Sequence, residues 1–189
     1  MLPPVQFIAN YIDITEQEMA DMLRIIRTAA CGKGEVISKQ GDLPNKLGFV
    51  LKGCVRAYYS DANGEEHTSG FVFENRPLTS ISFFSVPAPN AMNTVALEPT
   101  ELIVVSREDF FGFMEKYPRY EVALRKIFSE YIVLQDEQSR LMRIPNARQR
   151  YQALLQAQPQ IIQRVPLKYI ASYLGMALET LSRVRASGK

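Results

Sequence analysis

The spacing of hydrophobic residues changes twice along this chain and predicts three consecutive regions. Near the N-terminus, apolar residues from Met19 to Ile26 recur every three or four positions, which predicts a helix over about residues 14–30. Thr15 precedes this pattern and Glu18 follows three residues later, the arrangement of a capping box. The first region is therefore expected to be helical.

The second region, from about residue 34 to residue 106, alternates hydrophobic and polar residues with a period of two. Its strand-like runs cover residues 36–37, 48–51, 54–59, 67–73, 93–97 and 101–105. Pairs such as Gly41-Asp42 and Lys52-Gly53 separate the runs, as turn residues do. Many short strands at regular spacing predict an antiparallel β-roll.

The third region opens with a long helix that has the spacing of a dimerisation seam. Six residues recur at intervals of three and four: Leu124, Ile127, Tyr131, Leu134, Gln138 and Leu141. Such a seam needs a partner helix, and a polar residue such as Gln138 is of the kind that fixes register between identical helices. The alternative is that the stripe packs on the roll of its own chain, a contact for which Phe128 and Ile132 are also available.

The last part of the chain has the pattern of a helix-turn-helix. An apolar face that ends at Leu174 predicts the first helix, Gly175 the turn, and Leu181 with Val184 the second helix. The residues expected to contact DNA are Lys168, Glu179, Thr180, Ser182, Arg183 and Arg185. A two-helix hairpin with a charged, solvent-exposed face would give the same pattern.

Positive charge is concentrated in this part of the chain. Residues 140–189 contain nine lysines and arginines and a single acid, Glu179, a net charge of +8, whereas the rest of the chain carries −6. The segregation favours contact with a polyanion. A membrane partner is not expected, because no basic helix with a broad apolar face accompanies the charge.

Composition argues against an enzyme or a metal protein. The chain has 189 residues, of which 47% are hydrophobic and 22% charged, as in ordinary soluble proteins, and a cytoplasmic location is expected. Cys31 and Cys54 have no metal-binding spacing, and His67 is the only histidine, so neither a catalytic residue, a metal nor a cofactor is predicted.

Residue order and motifs together resemble one family. The runs at residues 34–42 and 49–56, followed by a long helix and a helix-turn-helix, resemble the Crp/Fnr family of bacterial transcription regulators. Residues 163–175 and 179–183 are similar to the branch common in Bacteroidetes. One departure is Ala177-Leu178, where that branch usually has Thr-Pro or Ser-Arg at the start of its recognition helix.

The resemblance implies a cyclic-nucleotide-binding roll, but the binding motif is altered. Thr79-Ser80 stands where cyclic-AMP binders have Gly-Glu, and Asn90-Ala91 stands where they have Arg-Ser or Arg-Thr. In the family these Glu and Arg residues hold the ribose hydroxyl and the cyclic phosphate. The candidate effector residues are therefore Thr79, Ser80, Ser82, Asn90 and Ala91, for a molecule other than cyclic AMP. Arg76 is the alternative phosphate partner.

The sequence thus predicts an α+β protein in three parts: an N-terminal helix and antiparallel β-roll (1–116), a dimerisation helix (117–143) and a helix-turn-helix domain (144–189). The predicted function is a homodimeric, sequence-specific DNA-binding transcription regulator. The expected partners are a palindromic double-stranded operator, a second copy of the chain, RNA polymerase and a small effector of unknown identity. The alternative is a cyclic-nucleotide or metabolite sensor that acts through protein partners without binding DNA.

Overall fold

The computed structural model describes residues 2–84 and 88–186 and shows a mixed α+β fold. The helices are α1 (Pro3–Ala9), α2 (Glu16–Ile25), α3 (Arg107–Lys116), α4 (Tyr120–Met142), α5 (Ala147–Ala157), α6 (Gln160–Arg164), α7 (Leu167–Tyr173) and α8 (Leu178–Ala186), with a 3₁₀ turn at Ile81–Phe83. The strands are β1 (Arg27–Cys31), β2 (Val36–Ser38), β3 (Lys46–Lys52), β4 (Val55–Ser60), β5 (Glu66–Val72), β6 (Arg76–Leu78), β7 (Asn93–Ala96) and β8 (Thr100–Ser106).

Two four-stranded sheets form the predicted roll. Their strand orders are β1-β8-β3-β6 and β2-β7-β4-β5, and β8 pairs antiparallel with both β1 and β3. Gly53 makes the turn from β3 to β4 with a φ of +106°, and a Cβ at this position would lie 2.8 Å from the Cα of Thr100. Only glycine is compatible with both the conformation and the contact. The prediction of an antiparallel roll is confirmed.

The sheet β1-β8-β3-β6 is apolar on both faces. Val50 and Leu102 point into the roll, where they pack with Val55 and Leu78. Because side chains alternate along a strand, their neighbours Phe49 and Ile103 belong to the opposite face. Helices α1 to α3 and the start of α4 pack on that outer side, with Val5, Met22 and Tyr120 as the buried centre of their own cluster.

The prediction of one helix over residues 14–30 is wrong at its C-terminal end. The Thr15–Glu18 capping box is present, but α2 ends at Ile25 and residues 27–31 form β1. β1 pairs along its full length with β8, so hydrogen bonds to a distant strand override the local helical spacing. Helices α1, α3 and α6 and strand β6 were not predicted.

Two buried carboxylates anchor α2 to the end of α3 and to the linker between α3 and α4. Glu18 accepts hydrogen bonds from Arg119 Nε at 2.7 Å and Nη2 at 2.5 Å. These bonds, together with the Thr15 cap, lower the pKa of Glu18 from 4.5 to about 2. Asp21 accepts from Lys116 Nζ and from the Tyr117 hydroxyl, each at 2.6 Å, and its pKa is lowered to about 2 by the same two partners.

The chain divides into two compact units. The first comprises residues 1–59 and 71–128, and the second comprises residues 60–70 with residues from 129 onward. Helix α4 therefore contributes its first nine residues to one unit and the remainder to the other. Across the residues described, no helix combines the length and the apolar character needed to span a membrane.

Candidate nucleic-acid interface and sensor site

Helices α7 and α8 form the predicted helix-turn-helix. Ile170, Leu174 and Leu181 are almost fully buried, and α8 packs against both α5 and α7. Gly175 makes the turn with a φ of +61°, a conformation that is cheap for glycine. The sequence prediction of a helix, a glycine turn and a second helix is confirmed in this part of the chain.

One of the basic residues in this segment is used to hold the motif together. Arg150 on α5 donates from Nη1 to the carbonyl oxygen of Leu174, at 2.6 Å, and so satisfies an orphan carbonyl at the end of α7. Its side chain is half-buried. Sequence reasoning counted Arg150 only as positive charge, because nothing in the local pattern shows that its partner lies 24 residues away.

The exposed face of α8 presents most of the predicted DNA-contacting side chains. Glu179, Ser182 and Arg183 are exposed and are spaced three and four residues apart, so they share one side of the helix. Arg185 is exposed beside this face and Thr180 is half-buried. Lys168, at the start of α7, is also exposed, and its Nζ lies 4.7 Å from the centre of the Tyr169 ring.

The β4–β5 hairpin, whose residues 60–70 belong to the second unit, contacts α7 and α4 within that unit. The backbone N–H of Thr68 donates to Ser172 Oγ at 2.9 Å, and Ser172 Oγ donates to the carbonyl oxygen of Glu66 at 3.3 Å. Gln138 on α4 donates from Nε2 to the carbonyl oxygen of Ser69 at 2.6 Å. The side chain that was predicted to set register between two α4 helices therefore bonds within its own chain.

A contact between a histidine and an aspartate closes the turn of this hairpin. His67 Nε2 lies 3.1 Å from Asp61 Oδ2, and the other carboxylate oxygen of Asp61 accepts from the backbone N–H groups of Asn63 and Glu65. The pKa of Asp61 is lowered chiefly by the hydrogen bond with His67. Asp61, Glu65 and His67 have their potential ligand atoms within 4.8 Å of one another. Turn formation brings these residues together, because Asp61 bonds to the His67 side chain and to the backbone N–H of Glu65.

The six predicted seam residues differ in environment. Leu124 and Ile127 are half-buried and line a cavity in the first unit, whereas Tyr131 and Leu134 are 47% and 50% exposed. Leu141 is half-buried. Phe128, on another face of α4, packs on Phe84 with ring centres 4.9 Å apart and so makes the contact for which the sequence showed it to be available.

The candidate effector residues lie on both sides of one loop of the roll. Ser80 Oγ accepts from the N–H of Ser82, and Ser82 Oγ donates to the carbonyl oxygen of Pro89 across the loop at 3.4 Å. Asn90 is buried, donates to the carbonyl oxygen of Lys39, and has an Oδ1 atom without a hydrogen-bond partner. Thr79 and Ala91 are exposed.

The roll also buries a cation that sequence reasoning did not single out. Arg56, on β4, is almost fully buried, and its guanidinium lies 4.2 Å from the centre of the Tyr58 ring. Arg76, the phosphate partner considered from the sequence, is exposed at the start of β6. In a strand pattern a buried arginine has no signature of its own, because its burial depends on contacts with other segments of the chain.

Comparison with known proteins gives consistent matches to transcription regulators. The family model for the cyclic nucleotide-binding domain matches residues 30–117. The transcriptional regulatory protein btr of Bordetella pertussis is 22% identical over 96% of this chain and 76% of its own length. The cyclic AMP receptor protein of Thermus thermophilus is 28% identical over 80% of this chain and 72% of its own length.

Solved structures show the same architecture. The c-di-GMP responsive global regulator CLP of Xanthomonas campestris superposes with a TM-score of 0.73 at 16% identity, covering 92% of this chain and 93% of that protein. The likeness therefore spans both the roll and the C-terminal helices. The chain therefore contains a match to the cyclic nucleotide-binding domain at residues 30–117 and is similar along most of its length to a transcriptional regulatory protein and a cyclic AMP receptor protein.

Proposed function

We propose that this protein is a homodimeric regulator that binds a specific palindromic operator through the exposed face of α8. The observation that supports this most is the side of α8 formed by Glu179, Ser182 and Arg183, which is exposed and lies in a segment of net charge +8. A helix that presents donors and acceptors on a basic domain suits the major groove of DNA. We expect the protein to act in the cytoplasm, with RNA polymerase as a further candidate partner.

Within each half-site, two residues are proposed to contact bases. Glu179 accepts a hydrogen bond from a cytosine amino group, and Arg183 donates to guanine. Lys168, Ser182 and Arg185 contact the phosphate backbone, together with Thr180, and so position the helix without reading sequence. Placement separates Arg185 from the base-contacting pair, because Glu179 and Arg183 are four residues apart on one face and Arg185 lies to its side. Ser182 shares their face but has a short side chain and is assigned to the backbone.

The roll is proposed to act as the sensor, with an effector other than cyclic AMP. The relative from Thermus thermophilus is named for cyclic AMP and the one from Xanthomonas campestris for c-di-GMP, so effectors differ among similar proteins. An effector that changes the packing of α4 would change the separation of two recognition helices in a dimer, a two-state shift. Helix α4 is suited to this because it contributes to both compact units.

A pair of matched variants tests the assignment. On an operator selected from random duplexes, Arg183→Ala should cost about 1 to 3 kcal/mol and relax the preference at one base pair. Arg185→Ala should weaken binding to specific and non-specific duplexes equally. It should also reduce the slope of the logarithm of the binding constant against the logarithm of the salt concentration by about 1, the value for one phosphate contact. Equal losses on all sequences for both variants would remove the base-reading role of Arg183. Absence of DNA binding by the unmutated protein would favour a sensor that acts through protein partners.

A further inference from the structure

A cavity of about 170 Å³ lies between the outer face of the sheet β1-β8-β3-β6 and the helices that cover it. Phe49 and Ile103 form its floor on the sheet, and Val5, Met22 and Ala123 are among the helical residues that enclose it. These walls are buried, whereas Ile8, Ile25 and Met114 at its edge are only half-buried and leave it reachable. The cavity belongs wholly to the first compact unit.

The lining is almost entirely apolar, which defines the kind of molecule that fits. Native interiors contain few voids larger than a water molecule, and an apolar void offers water no hydrogen-bond partners. A cavity of about 150 Å³ with aliphatic and aromatic walls stays dry and takes up benzene. Six aromatic rings line the space here: Phe7, Phe49, Phe84, Phe110, Phe113 and Tyr120.

We propose that this cavity is a binding site for a neutral apolar molecule with about the bulk of benzene or indole. The site is separate from the effector site that the sequence indicated. None of those five loop residues lines the cavity: Thr79, Ser80, Ser82, Asn90 and Ala91. A charged ligand does not fit, because a buried charge without a partner is costly.

The position of the cavity connects it to regulation. Leu124 and Ile127 of α4 form part of its wall, so a bound molecule touches the helix proposed to pair in the dimer. Phe84, at the end of the 3₁₀ turn, also lines it and packs edge-on against Phe128 with ring centres 4.9 Å apart. Occupancy therefore acts on α4 directly and through Phe84. This regulatory role rests on the proposed function, whereas binding itself does not.

Indole is a suitable probe, because the protein contains no tryptophan and the probe fluorescence is observed without that background. Titration of indole into the 189-residue protein should show saturable binding of one indole per protomer. Ala123→Leu fills part of the cavity from α4 and should weaken indole binding at least about tenfold. The reason is that the added carbon atoms occupy space that indole needs, and overpacking of this kind costs about 1 to 3 kcal/mol. Val105→Phe fills the cavity from the sheet and should weaken indole binding in the same way. If one of the two variants fails to fold, the other still tests the site.

The control is Val122→Leu, which introduces the same residue, leucine, on α4 at an exposed position next to Ala123. It should bind indole as the unmutated protein does. Failure of the unmutated protein to bind, or undiminished binding by both filled variants, would overturn the site. A change in operator affinity at saturating indole supports the regulatory role, and unchanged operator affinity with intact binding overturns that role alone.

Discussion

Introducing charge at the exposed middle of α4 should dissociate the proposed dimer. Tyr131 and Leu134 have the seam spacing, belong to the second unit and are 47% and 50% exposed. Complete burial of a large apolar side chain contributes about 1.5 to 3 kcal/mol, so covering the exposed half of each contributes about 1 kcal/mol. A symmetric pair covers four such side chains, or about 4 kcal/mol, which is about a thousandfold in the dimerisation constant.

The double variant Tyr131→Glu with Leu134→Glu should therefore raise the dimer dissociation constant about a thousandfold, with like-charge repulsion adding to the loss. Ile127 is left unchanged, because it lines the cavity of the first unit and a charge there would damage that unit as well. Sedimentation equilibrium at micromolar concentration measures the effect, and circular dichroism checks that α4 remains helical.

The matched control is Ile132→Glu with Val133→Glu. These two residues are 66% and 57% exposed on the same helix, yet they fall outside the seam spacing. The control should remain dimeric. If it dissociates as readily as the seam variant, or if the unmutated protein sediments as a monomer, the pairing of α4 helices along this seam is wrong.

Two further predictions concern the ligand and acid stability. Calorimetry should detect no cyclic-AMP binding at or below the micromolar range, because each missing charge-assisted contact costs about 1.5 to 3 kcal/mol; a tighter complex would point to Arg76 or Arg56 as a phosphate partner. Because the pKa of Glu18 is lowered from 4.5 to about 2, the stability that its bonds to Arg119 provide is present above pH 4.5 and is lost as the pH falls toward about 2. Urea unfolding should show that the free energy of unfolding falls less steeply with decreasing pH for Glu18→Gln than for the unmutated protein. An equally steep fall in both proteins would contradict the assignment.

The helix-turn-helix was predictable because its determinants are local. The apolar spacing that ends at Leu174, the glycine of the turn and the face containing Leu181 lie within a few residues of one another, and each performs the expected role. Most of the roll was predictable for a similar reason, since alternation and turn residues mark six of its eight strands. Strand β1 was missed because its identity depends on β8, which lies about 70 residues further along the chain.

Contacts between distant segments account for what the sequence did not show. Gln138 has seam spacing, but its amide bonds to Ser69, a partner that no periodicity indicates. The cavity is lined from α1, α2, β3, β8 and α4, and each wall residue by itself is typical of an ordinary core position. A void is a property of packing, so only the assembled structure shows it.

The central claim is that a symmetric dimer reads a specific DNA sequence through α8. Selection of bound duplexes from a random library tests it most directly, because it requires no knowledge of the target genes. We expect an imperfect palindrome whose half-site centres are about one helical turn, or about 34 Å, apart, with preferences at the positions facing Glu179 and Arg183. An asymmetric consensus, or no enrichment above the starting library, would contradict the account.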